Sequence, residues 1–180
     1  MRKILTVLVL LVCLTTAIFA VGCKANPVEA KGISFDTLKS YEYTGTFSGN
    51  GADWLDAIAA TENSGVTFTH YSSSYEGVSY FTITEAAYDG ISIKNDTTKS
   101  SWLSYYANVT DLKYQDRTVD PILFEGETFY VTGVTIDQIP VSKGFKVLFV
   151  QTNTSGTWGE DDYQSSVGTE KAVLFSYVGA

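Results

Sequence analysis

Short runs that alternate apolar and polar residues, broken by Gly, Ser, Asn and Asp, constrain this chain more than any other feature. Side chains of a strand point to opposite faces in turn, so such runs build half-buried sheet. The runs are Tyr41–Phe47, Val66–Tyr71, Val78–Thr84, Ser101–Asn108, Thr128–Gly133, Phe145–Asn153 and Lys171–Val178. They are rich in Tyr, Phe, Val and Thr, which suit a pleated surface. One segment differs, Ala52 to Asn63, where Trp54, Leu55, Ile58 and Ala59 fall on a single helical face. Asn50 or Asp53 serves as its cap, Asp53 and Asp56 suit its positive end, and Gly65 stops it. The expectation is an α+β fold, mainly β, with a sheet packed on a single α-helix.

Ahead of this body lies a leader. Met1-Arg2-Lys3 precedes an uncharged apolar run, Ile4 to Gly22, and then Ala20-Val21-Gly22-Cys23. A basic start, an apolar stretch and small residues mark an export signal. Small residues before a cysteine resemble a lipobox, which predicts cleavage before Cys23 and lipidation of its thiol. Two other outcomes stay open: cleavage after Ala20 or Ala25, or a retained signal anchor, since the run is near the minimum for a span. Residues 1–22 are then the signal, residues 23–32 a lipidated tether, and residues 33–180 one β-rich domain. The chain has two cysteines, and Cys13 leaves with the signal. The mature body therefore has no pair from which to make a disulfide. Each buried acyl methylene contributes roughly 0.8 kcal/mol, so palmitate-type chains hold a protein on the membrane.

Removing 22 of 180 residues leaves 158, enough for one domain that needs no staple. Arg2 and Lys3 also go, so 10 basic residues face 20 acidic ones. Such a surface repels phosphate backbones, and no nucleic-acid partner is expected.

Catalytic chemistry finds little to work with. His70 is the one histidine, and no G-x-S-x-G elbow occurs. Zinc and iron draw on His and Cys, which are nearly absent. Two acidic groups, Asp116/Asp120/Glu125/Glu127 and Glu160/Asp161/Asp162, lack the spacing of a calcium loop and read as solvated loop acids. A carboxylate pair acting on a glycan is the one enzymatic alternative. Gly49-Asn50-Gly51 reads as a helix entry, not a phosphate loop. No enzyme, no metal and no cofactor are expected.

Aromatic residues are the one excess: 12 Tyr, 10 Phe and 3 Trp. Their flat apolar faces and polar edges suit sugar rings, macrocycles and protein contacts. The densest cluster is Trp102-Leu103-Ser104-Tyr105-Tyr106. Strand geometry puts Trp102, Ser104 and Tyr106 on one face, and Leu103 and Tyr105 on the other. Trp102, Tyr105 and Tyr106, with Trp158 in a polar loop, are the candidate ligand-binding residues.

The order of a strand, then Trp54-Leu55-Asp56-Ala57-Ile58-Ala59-Ala60, then strands, then Trp102-Leu103-Ser104-Tyr105-Tyr106-Ala107-Asn108 resembles the transcobalamin C-terminal-like domain. Gly133 to Phe149, with Pro140-Val141 ahead of Gly144, is similar to that family's closing segment. The likeness spans residues 41–150 and implies a β-grasp-like sheet on one helix; outside it, Ala172–Val178 reads as an extra C-terminal strand. It also implies a bacterial surface lipoprotein and a corrinoid as ligand. The chain departs from the pattern after Asn108, where Val109 and a long insertion through Thr132 replace Asn-Gly and a short loop. The functional expectation is a noncatalytic extracytoplasmic binding module, tied to the membrane by lipid, with a corrinoid or glycan ligand. The alternative is a surface adhesion protein that contacts other proteins.

Overall fold

A computed structural model describes residues 29–75, 78–110, 120–157 and 161–179. The expected signal at residues 1–22, Cys23 and Trp158 lie outside these residues. Twelve strands and one α-helix occur among them. In chain order they are β1 Lys31–Gly32, β2 Thr37–Tyr43, β3 Gly49–Asn50, α1 Gly51–Ala59, β4 Val66–Tyr75, β5 Val78–Tyr88 and β6 Ile91–Lys94. Then follow β7 Ser101–Ala107, β8 Ile122–Phe124, β9 Glu127–Phe129, β10 Pro140–Val141, β11 Lys146–Ser155 and β12 Gln164–Tyr177. The protein is mainly β with one helix among the described residues, as the alternating runs predict.

The centre is a four-stranded sheet in the order β2, β12, β11, β7. The pair β2–β12 is parallel, and the other two pairs are antiparallel. Thr37 to Tyr43 lie beside Lys171 to Tyr177, so the second strand of the chain runs next to its last. Both faces of this sheet are covered. Val147, Phe149, Val173 and Phe175 enter one core, and Leu148, Val150, Ala172 and Leu174 enter another. That is why Val147-Leu148-Phe149-Val150 and Ala172-Val173-Leu174-Phe175 are unbroken apolar runs: a strand buried on both sides has no polar face to show.

The first core is roofed by α1 and by a three-stranded antiparallel sheet, β4-β5-β6. Trp54 on α1 sits edge-on to Phe145 at 5.3 Å and to Tyr43 at 6.4 Å, at one end of the central sheet. Phe68 on β4 packs 5.2 Å from Phe175 and 5.9 Å from Phe149. The helix therefore shares its layer with strands and does not cover the sheet alone. The second core lies under β1-β8-β9, where Ile122, Phe124 and Phe129 meet Tyr106 and Leu148.

Local chemistry fixes the helix start. Asn50 is extended, and its side-chain oxygen accepts the Asp53 N–H at 3.0 Å, a cap worth about 1 kcal/mol. Gly51 abuts the 3-10 turn Ile136–Gln138; a Cβ there would lie 2.7 Å from the Ile136 carbonyl oxygen. Only glycine lets the two segments meet so closely.

Several elements differ from their expected bounds. The strand expected at Tyr41–Phe47 is β2, and it ends at Tyr43. Past it, Phe47 leaves the ladder, and its backbone N–H donates to the Tyr177 hydroxyl at 3.0 Å. Thr128–Gly133 contributes only the short β9, which pairs with the unexpected β8 around a tight turn with Glu125 and Gly126 at φ 50° and 81°. Asp89 and Gly90 make the same kind of turn between β5 and β6, at φ 46° and 81°.

Candidate functional site

The aromatic cluster of β7 is divided by the sheet that carries it. Tyr106 is fully buried in the second core, and its hydroxyl has no hydrogen-bond partner among the described residues. Burial pushes that hydroxyl well above its ordinary pKa, and Asp120 adds to the shift. Tyr105 turns to the first core, where its ring lies 6.1 Å from Phe149 and its hydroxyl donates to the Val134 carbonyl at 3.4 Å. Its hydroxyl is also raised, chiefly by burial. Trp102 alone reaches the surface, 39% exposed, with its indole N–H donating to Thr154 Oγ1 at 3.2 Å. Trp102, Tyr105 and Tyr106 therefore do not share one surface. Alternation assigns Tyr105 and Tyr106 to opposite faces correctly; the layer that closes the second face comes from β8 and β9, which the period within β7 does not report.

The acidic groups are dispersed in the same way. Asp120 pairs with Lys31 at 2.6 Å, and Glu127 pairs with Lys146 at 2.5 Å. Glu125 occupies a turn, while Asp162 accepts the Thr157 N–H at 3.1 Å. Asp116 and Glu160 lie outside the described residues. Among the described residues no group of His, Cys, Asp and Glu is arranged to hold a metal ion. His70 stacks on Phe81 at 4.5 Å, with Nε2 3.4 Å from Asp56 on the helix.

An exposed aromatic surface does occur, on a segment where only part was expected. Strand β6 pairs with β5 only from Glu85 to Tyr88. Beyond that point β4 and β5 continue as a two-stranded arm, with a register shift between Thr69 and His70. Tyr71 lies opposite Thr82, and Ser73 lies opposite Tyr80. The pleat puts these four residues on one face of the arm, with the two tyrosines in diagonal positions roughly 7–8 Å apart. Tyr71 is 53% exposed and Tyr80 40%. His70 and Phe81 occupy the other face, turned toward α1. From Val66 to Thr84 the sequence has one formal charge, Glu76, in a chain whose net charge is −8.

The signal for this surface was present in the sequence. Tyr71-Ser72-Ser73-Ser74-Tyr75 keeps the two-residue period past the expected strand end at Tyr71. The three serines resemble a turn, and that ends the predicted strand too early.

A separate cleft of about 270 Å³ opens between β1 and the start of β12, lined by Lys31, Ile33, Asp120, Ile122, Ser165 and Val167. Its one ion pair, Lys31–Asp120, is internally matched. Among the described residues no helix is long and apolar enough to cross a membrane. No family model, curated protein or solved structure matches this chain.

Proposed function

We propose that this chain is a noncatalytic extracytoplasmic lipoprotein, anchored through Cys23, whose β-rich body binds a neutral glycan on the tyrosine face of the β4–β5 arm. The single observation that carries the ligand class is the exposure of Tyr71 and Tyr80 in diagonal positions on a ribbon with a single formal charge, Glu76. Sugar rings stack on such faces, and the Ser and Thr hydroxyls between them offer hydrogen bonds without charge. The export signal and the lipobox-like Ala20 to Cys23 support the location.

The transcobalamin-like, β-grasp-like reading has its own support. The early strand β2, then helix α1, then further strands that include β7 follow the order that the resemblance implies. The corrinoid ligand has less, because Tyr105 and Tyr106 are engaged in packing. A second reading, adhesion through protein contact, is favoured by the arm itself, whose β4 edge has no neighbouring strand among the described residues.

A soluble Cys23→Ser protein titrated with neutral oligosaccharides should show saturable binding. A Tyr71→Ala/Tyr80→Ala double variant should weaken it at least tenfold, because each lost stacking contact removes about 1 kcal/mol or more. Melting should change little, as both side chains are exposed. Cyanocobalamin in the same assay tests the corrinoid alternative. Binding that survives in the double variant removes the arm as the site. The mass of the N-terminal peptide from the native host, with or without acyl chains, decides the anchor separately.

A further inference from the structure

Three reactive side chains converge where β7, β9 and β11 meet. Asn108 follows the last residue of β7 and lies across from Lys146, the first of β11; its backbone N–H donates to the Lys146 carbonyl at 3.2 Å. The Lys146 backbone N–H donates to Asn108 Oδ1 at 2.8 Å. Asn108 Nδ2 donates to Glu127 Oε1 and to the Gly144 carbonyl, both at 2.8 Å. Lys146 Nζ donates to the other carboxylate oxygen, Glu127 Oε2, at 2.5 Å. One carboxylate thus holds an amine on one oxygen and a carboxamide on the other. The Lys146 and Glu127 side chains are about two-thirds withdrawn from water, at 37% and 33% exposure.

We propose that Lys146 and Asn108 become joined by an intramolecular amide bond from Nζ to Cγ, with Glu127 as the proton carrier. Glu127 holds the amine on one oxygen and the carboxamide on the other, which brings nucleophile, electrophile and proton carrier together. A proton passes from the Lys146 ammonium to Glu127 Oε2. The freed nitrogen lone pair attacks Asn108 Cγ and forms the new C–N bond. Negative charge gathers on Oδ1, where the Lys146 backbone N–H already sits at hydrogen-bond distance and stabilises it. Glu127 gives its proton to Nδ2, the Cγ–Nδ2 bond breaks, and the nitrogen leaves as ammonia. Ammonia takes up the surplus proton from Nζ and departs as ammonium, so Glu127 ends as the carboxylate it began. An amine and a carboxamide become a secondary amide, and no oxidant or co-reactant is consumed.

At rest the proton belongs to lysine. Burial raises the Glu127 carboxyl, but its bonds to Lys146 and Asn108 outweigh this and hold it below the ordinary carboxylate range. The first transfer is therefore uphill and the reaction slow, which suits a bond made once in the life of each molecule. Its product ties two positions 38 residues apart. The described body has no cysteine with which to make such a tie by oxidation.

The purified protein is tested by intact mass after its N-terminus has been determined, and again after prolonged incubation at neutral pH. The expected mass is lower than the sequence mass by one ammonia, about 17 Da. Digestion should yield a branched peptide containing both Asn108 and Lys146. Glu127→Gln and Lys146→Arg should both restore the full mass. A wild-type protein that keeps its full mass after incubation overturns the proposal, whatever the variants do. So does a loss of ammonia that persists in Lys146→Arg, because the nitrogen would then have left by another route.

Discussion

Trp54→Ala should lower the unfolding free energy by about 3–5 kcal/mol, the cost of emptying a large aromatic site in a packed core. Trp54 is fully buried and is the largest side chain that α1 contributes to the first core. Its ring is wedged among Tyr43, Phe145 and Tyr177, so one truncation loosens the helix from β2, from β12 and from the residue that leads into β11. For a body of this size the midpoint of thermal unfolding should fall by roughly 6 to 20 °C. Trp54→Phe separates two contributions. The indole N–H has no hydrogen-bond partner among the described residues, and phenylalanine removes that stranded donor while keeping most of the ring. Its cost should stay below about 2 kcal/mol. Denaturant melts of the two variants, read at constant slope, give both numbers. An alanine variant as stable as wild type would mean that α1 does not rest on the sheet as described.

The second large effect is expected on the opposite face. Leu148→Ala should cost about 2–5 kcal/mol, because Leu148 is fully buried beneath the small β1-β8-β9 layer. A surface leucine on a half-exposed sheet would cost far less, within about 0.5 kcal/mol. The measurement therefore asks whether the central sheet is covered once or twice. Leu148→Ala should also speed hydrogen exchange in β8 and β9, whose attachment depends on that contact, while the α1 amides stay protected. Equal exchange in both regions would contradict two separate cores.

Legibility in the sequence followed the range of the interactions involved. Helix α1 is written locally: Trp54, Leu55 and Ile58 keep a helical period, and Asn50 supplies the cap three residues before the amide it binds. Strands β11 and β12 announce themselves through their apolar runs. The two-residue strands β1, β3 and β10 carry no such signature, because they exist only through partners distant in the chain. β6 has only four residues, and its one local mark is the Asp89-Gly90 turn that introduces it. β8 is three residues long and lies within the stretch that departs from the expected pattern after Asn108. The aromatic residues divide similarly. The period of two gives Tyr105 and Tyr106 their opposite faces, but whether a face meets water depends on layers that the period cannot see. Hence a cluster dense in sequence is split between two cores, and Tyr71 and Tyr80, nine residues apart, come to stand side by side.

The parallel pairing of β2 with β12 has a mechanical consequence. Tension applied at the start of β2 and the end of β12 runs along the ladder, not across it. Seven residue pairs, Thr37/Lys171 through Tyr43/Tyr177, then carry the load in shear and must yield together. A hairpin pulled at its open end parts one bond at a time. Since forced rupture is governed by the rate of unfolding, this body should resist stretching better than its equilibrium stability alone implies.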